Sequence, residues 1–515
     1  MADRKSYYIT TPIYYVNDSP HIGHAYTTLA CDVLARFMRL DGYDVHFLTG
    51  TDEHGQKVEK AAADAGVSPK DFTDKVSETF RTLPNALNFS NDDFIRTTEP
   101  RHIRSSQAIW QALEAAGDIY LGSYAGWYAV RDEAFYTESE LTKQPDGSRI
   151  APSGAVVEWV EEPSYFFKLS AWQDRLLAFY EENPDFIGPD SRRNEVISFV
   201  KGGLKDLSVS RTTFKWGVPV PGNDAHIMYV WLDALTNYIT AVGYPDIDSD
   251  MFQRYWPADL HMVGKDIVRF HAVYWPAFLM AAGVAPPQRV YAHGWWTNEG
   301  EKISKSLGNV IDPLALVETY GLDPVRYFLM REVPFGNDGD FSHAAMMHRM
   351  NGDLANDLGN LCQRVLSMVG KNCDAQTPTP GAFTGDDNAL LDKAKGLIGP
   401  LRTALAEQAF HTALTAIWDV IGDANRYVDA QAPWALRKTD PARMATVLYT
   451  LAETIRMVGL YVQPFMPDAC AKILDQLAVP AGARHFASLE TALTPGQALP
   501  KPAPVFPRFV AEDEG

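Results

Sequence analysis

The sequence turns on Pro20-His21-Ile22-Gly23-His24, followed by Ala25-Tyr26-Thr27-Thr28-Leu29. Two histidines three residues apart straddle a glycine at the start of a helical pattern. Upstream, residues 7–11 read as a short buried strand, rich in β-branched and aromatic side chains. A turn-rich loop follows, Asn17-Asp18-Ser19-Pro20. From there apolar residues recur at helical spacing, Ile22, Tyr26, Leu29, Val33 and Phe37, until Asp41-Gly42 ends the run. The pattern predicts a strand–loop–helix unit. The unbonded N–H groups and dipole of a helix start favour an anion, and Gly23 lets a ligand approach the backbone closely.

A second stretch, Lys302-Ile303-Ser304-Lys305-Ser306, follows another buried-strand pattern at Val290–His293. It lies in a polar, glycine-containing loop, residues 298–309. Each stretch alone has a plain reading, solvated histidines at a helix start and surface lysines. Together and in this order they resemble the HIGH and KMSKS signatures of class I aminoacyl-tRNA synthetases.

The chain has 515 residues, 46% of them hydrophobic, and predicts about three domains with a large core. Its net charge of −19 argues against adhesion to nucleic acid through overall charge and predicts a restricted, salt-sensitive contact surface instead. The four cysteines, Cys31, Cys362, Cys373 and Cys470, are scattered and form no CxxC. That spacing argues against a disulfide framework and a four-cysteine zinc site, and fits a reducing cytoplasm. The opening residues form no apolar targeting segment and no stretch is apolar enough to span a bilayer, so a cytoplasmic location is expected.

Residues 1–115 read as the first half of a Rossmann-like, doubly wound α/β domain. A strand at 45–49 runs into Gly50-Thr51-Asp52-Glu53-His54-Gly55. Ligands of open parallel sheets sit at the carboxyl ends of strands, which places Asp52 and His54 at a site. Residues 116–225 alternate aromatic and polar residues and read as an insertion, with Asp146-Gly147 as a hairpin turn. Residues 226–295 read as the second half of the α/β domain, with the sheet resuming near His226. A strand at 260–263 leads into Gly264-Lys265-Asp266, and Ile267, Phe270, His271, Tyr274 and Trp275 follow at helical spacing. Residues 296–350 hold the lysine loop and a joining segment, with Pro313 and Pro324 at expected first helical positions. From 351 to 515 the chain reads as a helical bundle ending in a proline-rich extended tail. Thr377-Pro378-Thr379-Pro380-Gly381 is a linker between helices. Asn356, Asn360 and Arg364 step by four along the first bundle helix as a polar stripe.

Along nearly its whole length the sequence resembles the methionyl-tRNA synthetases. The resemblance rests on the two motifs, on Gly126-Trp127-Tyr128, Phe135-Tyr136 and Tyr165-Phe166-Phe167 in the insertion, and on Gln431-Ala432-Pro433-Trp434 in the bundle. It implies activation of L-methionine by ATP with Mg²⁺, followed by transfer to initiator and elongator methionine tRNA. It implies that His21, His24, Lys302 and Lys305 are catalytic, with Gly23, Gly264, Asp266, His293 and Ser304 joining them in binding ATP. It implies a methionine pocket of Ile13, Tyr15, Trp231, Ala234, Leu235, Tyr238, Ile267, Phe270, His271 and Trp275, with Asp52 on the ammonium. Soft, apolar surroundings suit a thioether side chain. Asn360, Arg364 and Trp434 match the anticodon-reading residues, types that bond base edges and stack on unpaired bases.

One departure stands out. Relatives often carry a zinc knuckle in the insertion. Here Ala129 and Asp132 stand where a first cysteine pair would fall, and Ala151-Pro152-Ser153-Gly154 where a second would. A metal-free insertion, held by apolar packing alone, is expected. Some relatives carry a dimerising β-barrel after the bundle; this sequence stops soon after it, so a monomer is expected. Two other readings remain: a class I synthetase for another apolar amino acid, and a non-catalytic synthetase-like protein that binds tRNA.

Overall fold

The computed structural model describes residues 5–16, 20–132, 134–303 and 308–510. The chain divides into two compact units. One comprises Ser6–Pro20 and His46–His293, the other Met1–Lys5, His21–Val45 and Gly294–Gly515.

The first unit is built on a seven-stranded sheet. Its path runs Ile187–Gly188, Val290–His293, Leu260–Gly264, Ser6–Thr10, Asp44–Asp52, and the last of these also pairs with Tyr14–Tyr15 and Asp93–Arg96. Ile9 pairs in parallel with Leu260, Val263 with Ala292 and Leu48 with Asp93. The runs are apolar because helices cover both faces of such a sheet; Tyr8, Leu48, Ile95, Trp110, Val263 and Ala292 join one core. The strand expected at 45–49 extends over Asp44–Asp52, buried from Val45 onward.

The insertion forms its own antiparallel sheet. Ile119–Ala129 pairs with Val156–Phe167 over ten residues, from Ile119 opposite Phe167 to Tyr128 opposite Glu158. The expected Asp146-Gly147 hairpin forms between Thr142–Lys143 and Arg149–Ile150. Gly147 adopts φ 88°, which a side chain there would strain. Apolar packing alone does not hold this region. Ala129, Ala151, Ala155 and Val157 do form a small core, but Asp132 also accepts hydrogen bonds from Ser153 and from the Tyr136 hydroxyl. The two segments where the cysteine pairs would stand are therefore joined by a hydroxyl–carboxylate link. Among the described residues no group of three His, Cys, Asp or Glu side chains is arranged to hold a metal.

Residues 223–228 belong to a separate antiparallel sheet with Ser210–Arg211 and Pro219–Val220; the parallel sheet takes its next strand at Ile187–Gly188, inside the range read as an insertion, and then Leu260–Gly264, rather than resuming near His226. Local alternation sets a strand but not its partner.

The second unit contains the helix Ile22–Leu40, a small sheet and the bundle. The helix begins and ends where the sequence places it, with Asp41 as the C-terminal cap and Gly42 at φ 90°. In the sheet Trp296–Asn298 pairs antiparallel with Glu301–Lys302 and parallel with Gly339–Phe341. Tyr26 packs edge-on against Trp296, ring centroids 5.4 Å apart. Pro313 takes the first position of Pro313–Tyr320, capped by Asp312, as expected. Pro324 lies two residues into Leu322–Arg331 rather than at its start. The bundle surrounds Pro441–Val462, in which every residue from 446 to 462 is buried. Residues 499–510 form no helix or strand, and Phe509 exchanges two backbone–side-chain hydrogen bonds with Asn351. Among the described residues no helix is long and apolar enough to cross a membrane.

Candidate active site

His21 is the N-cap of Ile22–Leu40. Its Nδ1 accepts the Gly23 N–H at 3.0 Å, while His24 Nδ1 accepts the His21 N–H at 3.1 Å. This is a capping box made by two imidazoles in place of the usual hydroxyl and carboxyl groups. It decides the tautomer. A ring nitrogen that accepts a backbone N–H carries no proton, so each neutral ring holds its hydrogen on Nε2 and presents it as a donor. The rings lie 3.9 Å apart at 33°. Burial, then the neighbouring His21, pushes the His24 pKa down to about 3, which keeps that ring neutral. Gly23 leaves room for the His21 ring: a Cβ there would stand 2.9 Å from His21 Cε1.

The same unit carries the lysine loop. The Ile22 N–H donates to the Ile311 carbonyl at 3.2 Å, joining the histidine helix to the chain just beyond the loop. The loop's two ends are tied: Asn309 donates to the Lys302 carbonyl at 3.1 Å, and Asn298 to the Asn309 carbonyl at 3.0 Å. Lys302 is exposed, its Nζ 6.0 Å from the centre of the Trp295 ring. Ser304 and Lys305 lie outside the described residues.

In the other unit Gly264 and His293 stand opposite each other at the carboxyl ends of adjacent parallel strands. A Cβ on Gly264 would meet Asp266 Oδ1 at 2.5 Å, so this glycine lets the Asp266 carboxylate lie across the strand end. Asp266 is exposed and His293 buried.

The expected methionine-pocket residues mostly converge in this same unit. Leu235, Tyr238 and Trp275 belong to its main core, with Ile13, Trp231 and Ile267 packed against it. Trp231 stacks on Phe270 at 3.6 Å. His271 Nδ1 lies 3.0 Å from the Ile267 carbonyl and Nε2 lies 2.7 Å from the Tyr238 hydroxyl. The carbonyl accepts only, so Nδ1 donates to it and Nε2 accepts from the tyrosine. Burial pushes the His271 pKa down to about 4, consistent with a neutral ring. Tyr8 fixes the other side by donating to the Tyr238 carbonyl at 2.7 Å. Tyr15 belongs to a different cluster, with Tyr14, Val58 and Phe80, but pairs across the sheet with Asp52. The aromatic stripe is not a regular α-helix. Phe270–Tyr274 is a π-helical turn, in which the Trp275 N–H reaches back to the Phe270 carbonyl. Such turns often mark functional sites.

A further buried cluster joins His54, which the strand-end position marked in the sequence, to Asp233 and His102, which no motif named. Asp233, 1% exposed, bonds His54 Nδ1 through one oxygen and His102 Nε2 through the other, both at 2.7 Å. Burial alone would raise the Asp233 pKa; the two histidines outweigh it and hold the carboxyl well below its usual range. His261 is similarly enclosed, within 2.8 Å of Thr10 Oγ1 and accepting from Trp275 Nε1 at 3.3 Å. A signal for His102 did exist. His102, Ser105 and Ser106 share the buried helical face with Ile109, Trp110 and Leu113, and polar residues on an apolar face demand partners.

In the bundle, Arg364 donates to Asp429 at 2.9 Å and lies 5.8 Å from the centre of the Trp434 ring. Trp434 is 49% exposed, unusual for a large aromatic side chain. Ala432 adopts φ 43° and turns the chain into the helix Pro433–Thr439 that carries it. Asn360 is exposed on the helix that holds Arg364.

The chain as a whole is similar to known proteins. The family model for class I tRNA synthetases (M) covers residues 7–366, and the anticodon binding domain of methionyl tRNA ligase covers residues 377–515. A methionine–tRNA ligase from Brucella suis is 61% identical over 512 residues, 99% of each chain. The solved Mycobacterium tuberculosis methionyl-tRNA synthetase in complex with methionyl-adenylate is 57% identical, with a TM-score of 0.95 over 98% of this chain and 100% of that one. The apo form of the same enzyme gives 0.90 at 53% identity, over 99% of each chain. Carrying both family domains in order and aligning end to end with these relatives, the chain belongs to the methionyl-tRNA synthetases, the methionine–tRNA ligases of class I.

Proposed function

We propose that this chain joins methionine to its tRNA in two steps. A methionine carboxylate oxygen attacks the α-phosphorus of ATP, the bond to the β-phosphate oxygen breaks, and pyrophosphate leaves. The 2′-hydroxyl of the terminal adenosine of tRNA then takes the methionyl group and releases AMP. The observation that carries the reading is the histidine capping box, because it supplies two oriented, uncharged N–H donors at a helix start, where charge building on phosphate is stabilised.

His21 and His24 donate through Nε2 to phosphate oxygens, and Lys302 and Lys305 add positive charge. Mg²⁺ enters with ATP as part of the substrate. Gly264, Asp266 and His293 hold the nucleoside. Asp52 pairs with the substrate ammonium. Trp231, Phe270, Tyr238 and His271, with their apolar neighbours, receive the thioether. Asn360, Arg364 and Trp434 read the anticodon, Trp434 by stacking. The enzyme works as a cytoplasmic monomer, and its insertion folds without zinc.

The test is amino-acid-dependent ATP–pyrophosphate exchange with each of the twenty amino acids. Strong exchange with methionine alone supports both the chemistry and the pocket. Exchange with another apolar amino acid discards the pocket assignment. No exchange with any, in folded protein, leaves a tRNA-binding protein without catalysis.

A further inference from the structure

The helix Leu322–Arg331 grips the turn between two bundle helices with two side chains three residues apart. Asp323 accepts the Ala469 N–H at 2.5 Å, in the first turn of Pro467–Gln476, whose own N-cap residue Met466 makes no side-chain cap. Arg326 donates through Nε to the Phe465 carbonyl and through Nη2 to the Pro464 carbonyl, both at 2.9 Å. Orphan donors and orphan acceptors of one turn are thus satisfied from one helix face.

The same guanidinium reaches further. Arg326 Nη2 donates to Asp32 Oδ2 at 2.6 Å, and that oxygen also receives Arg36 Nε at 2.8 Å. Asp32 lies on the histidine helix, eight residues beyond His24, about 12 Å along the axis. Asp32 and Arg326 are 0% and 1% exposed. An unbroken run of direct hydrogen bonds therefore leads from the bundle turn through Arg326 and Asp32 to the helix that carries both histidines.

A buried ion pair is a poor device for stability, since apolar residues of the same volume hold such a space as well or better. It is a good device for register. Apolar surfaces tolerate sliding, whereas a forked donor shared between two carbonyls and a carboxylate permits one rotation and one axial setting.

We propose that Asp32 and Arg326 are positioning residues for adenylate formation: they lock the histidine helix in rotation and register against the bundle that binds tRNA. The proposal rests on the reading that His21 and His24 act on the phosphates of ATP. A displacement of about 1 Å at a reacting group costs on the order of 10²-fold in rate, so a helix freed of this lock loses catalysis before it loses substrate binding.

The experiment uses the full chain as parent, Asp32→Asn, Arg326→Lys and the double variant. Active sites are titrated by single-turnover adenylate formation, so unfolded protein does not count. Exchange kinetics give kcat and the KM for ATP, intrinsic fluorescence gives methionine Kd, and thermal melting gives Tm. The expected result is a tenfold or greater loss of kcat per titrated site in both single variants, methionine Kd within twofold of the parent, and a double variant no worse than the worse single. A kcat per site within twofold of the parent, whatever happens to Tm, overturns the proposal. So does multiplicative loss in the double variant, or failure of both single variants to yield titratable sites, which marks the pair as structural only. A parent that exchanges with no amino acid overturns the underlying catalytic reading instead, and is distinguishable from all of these.

Discussion

Substituting Gly23 by alanine separates stability from catalysis. The added Cβ would lie 2.9 Å from His21 Cε1 and 3.1 Å from Nδ1, too close for the ring to stay. The His21 ring must give way by a few tenths of an ångström, which strains the Gly23 N–H bond and its place against His24. Loss of a cap costs about 0.5–2 kcal/mol, while alanine in place of a helical glycine returns roughly 0.5–1 kcal/mol. The net change in unfolding free energy is expected to stay within about 1.5 kcal/mol. The chemical cost is larger, since removing one oriented donor to developing charge slows a reaction by about 10²–10³. Single-turnover adenylate formation should therefore fall by that factor while Tm hardly moves. Gly42→Ala is the control. Gly42 sits beyond the far end of the same helix at φ 90° with open space around it, so alanine there brings backbone strain and some loss of Tm but leaves the rate unchanged. A Gly23→Ala protein with adenylation within about threefold of the parent would refute the assignment of His21 as an oriented donor.

Because His24 is held down to about 3 by burial first and His21 second, adenylation should not decline as pH rises from 6 to 8, as it would if an imidazolium were required; the pH profile of kcat checks this. The same depression has a stability consequence. The unfolded histidine takes up a proton near pH 6.5 that the folded one refuses until about 3, so stability from this site is complete above 6.5 and is lost as pH falls towards 3. Urea titrations across that range on parent and His24→Gln should differ in slope. Burial pushes the Asp323 carboxyl up to about 6, against opposing pulls from the Ala469 N–H and Arg326. Its contribution is therefore greatest below about 4 and is lost as pH rises through 6, and Asp323→Asn, which keeps an acceptor for Ala469, should match or exceed the parent at pH 8, by at most about 3 kcal/mol in chemical denaturation. Trp434→Ala should lower kcat/KM for aminoacylation of normal tRNA about 10–100-fold, the worth of one stacked base, with methionine-dependent exchange untouched; equal loss in both assays would place Trp434 in the fold rather than in recognition.

Local chemistry made much of this legible. The strand Ser6–Thr10, the helix start at Ile22, the Asp312-Pro313 helix start and the Asp146-Gly147 turn all follow from side-chain spacing and backbone preference, which act within a few residues; the turn-rich loop at Asn17-Asp18-Ser19 lies outside the described residues. Two π-helical segments among the described residues, Phe270–Tyr274 and Met350–Gly359, were not legible. Their apolar spacing suits an ordinary helix, and the wider turn is chosen by what packs around it.

By itself the sequence determined the strands and helices, the two motifs, and through resemblance the family and its chemistry. Tertiary structure decided what those residues touch. It brought His102 and His54 to Asp233 across 131 and 179 residues, and Arg326 to Asp32 across 294. It grouped the histidine helix with the C-terminal residues rather than with the parallel sheet that precedes it in the chain. It also turned two imidazoles into a capping box that fixes their tautomer. Periodicity carries information only over the few residues of a turn or a strand. Pairings between distant groups are settled when burial removes water and each polar atom must find its partner inside the folded chain.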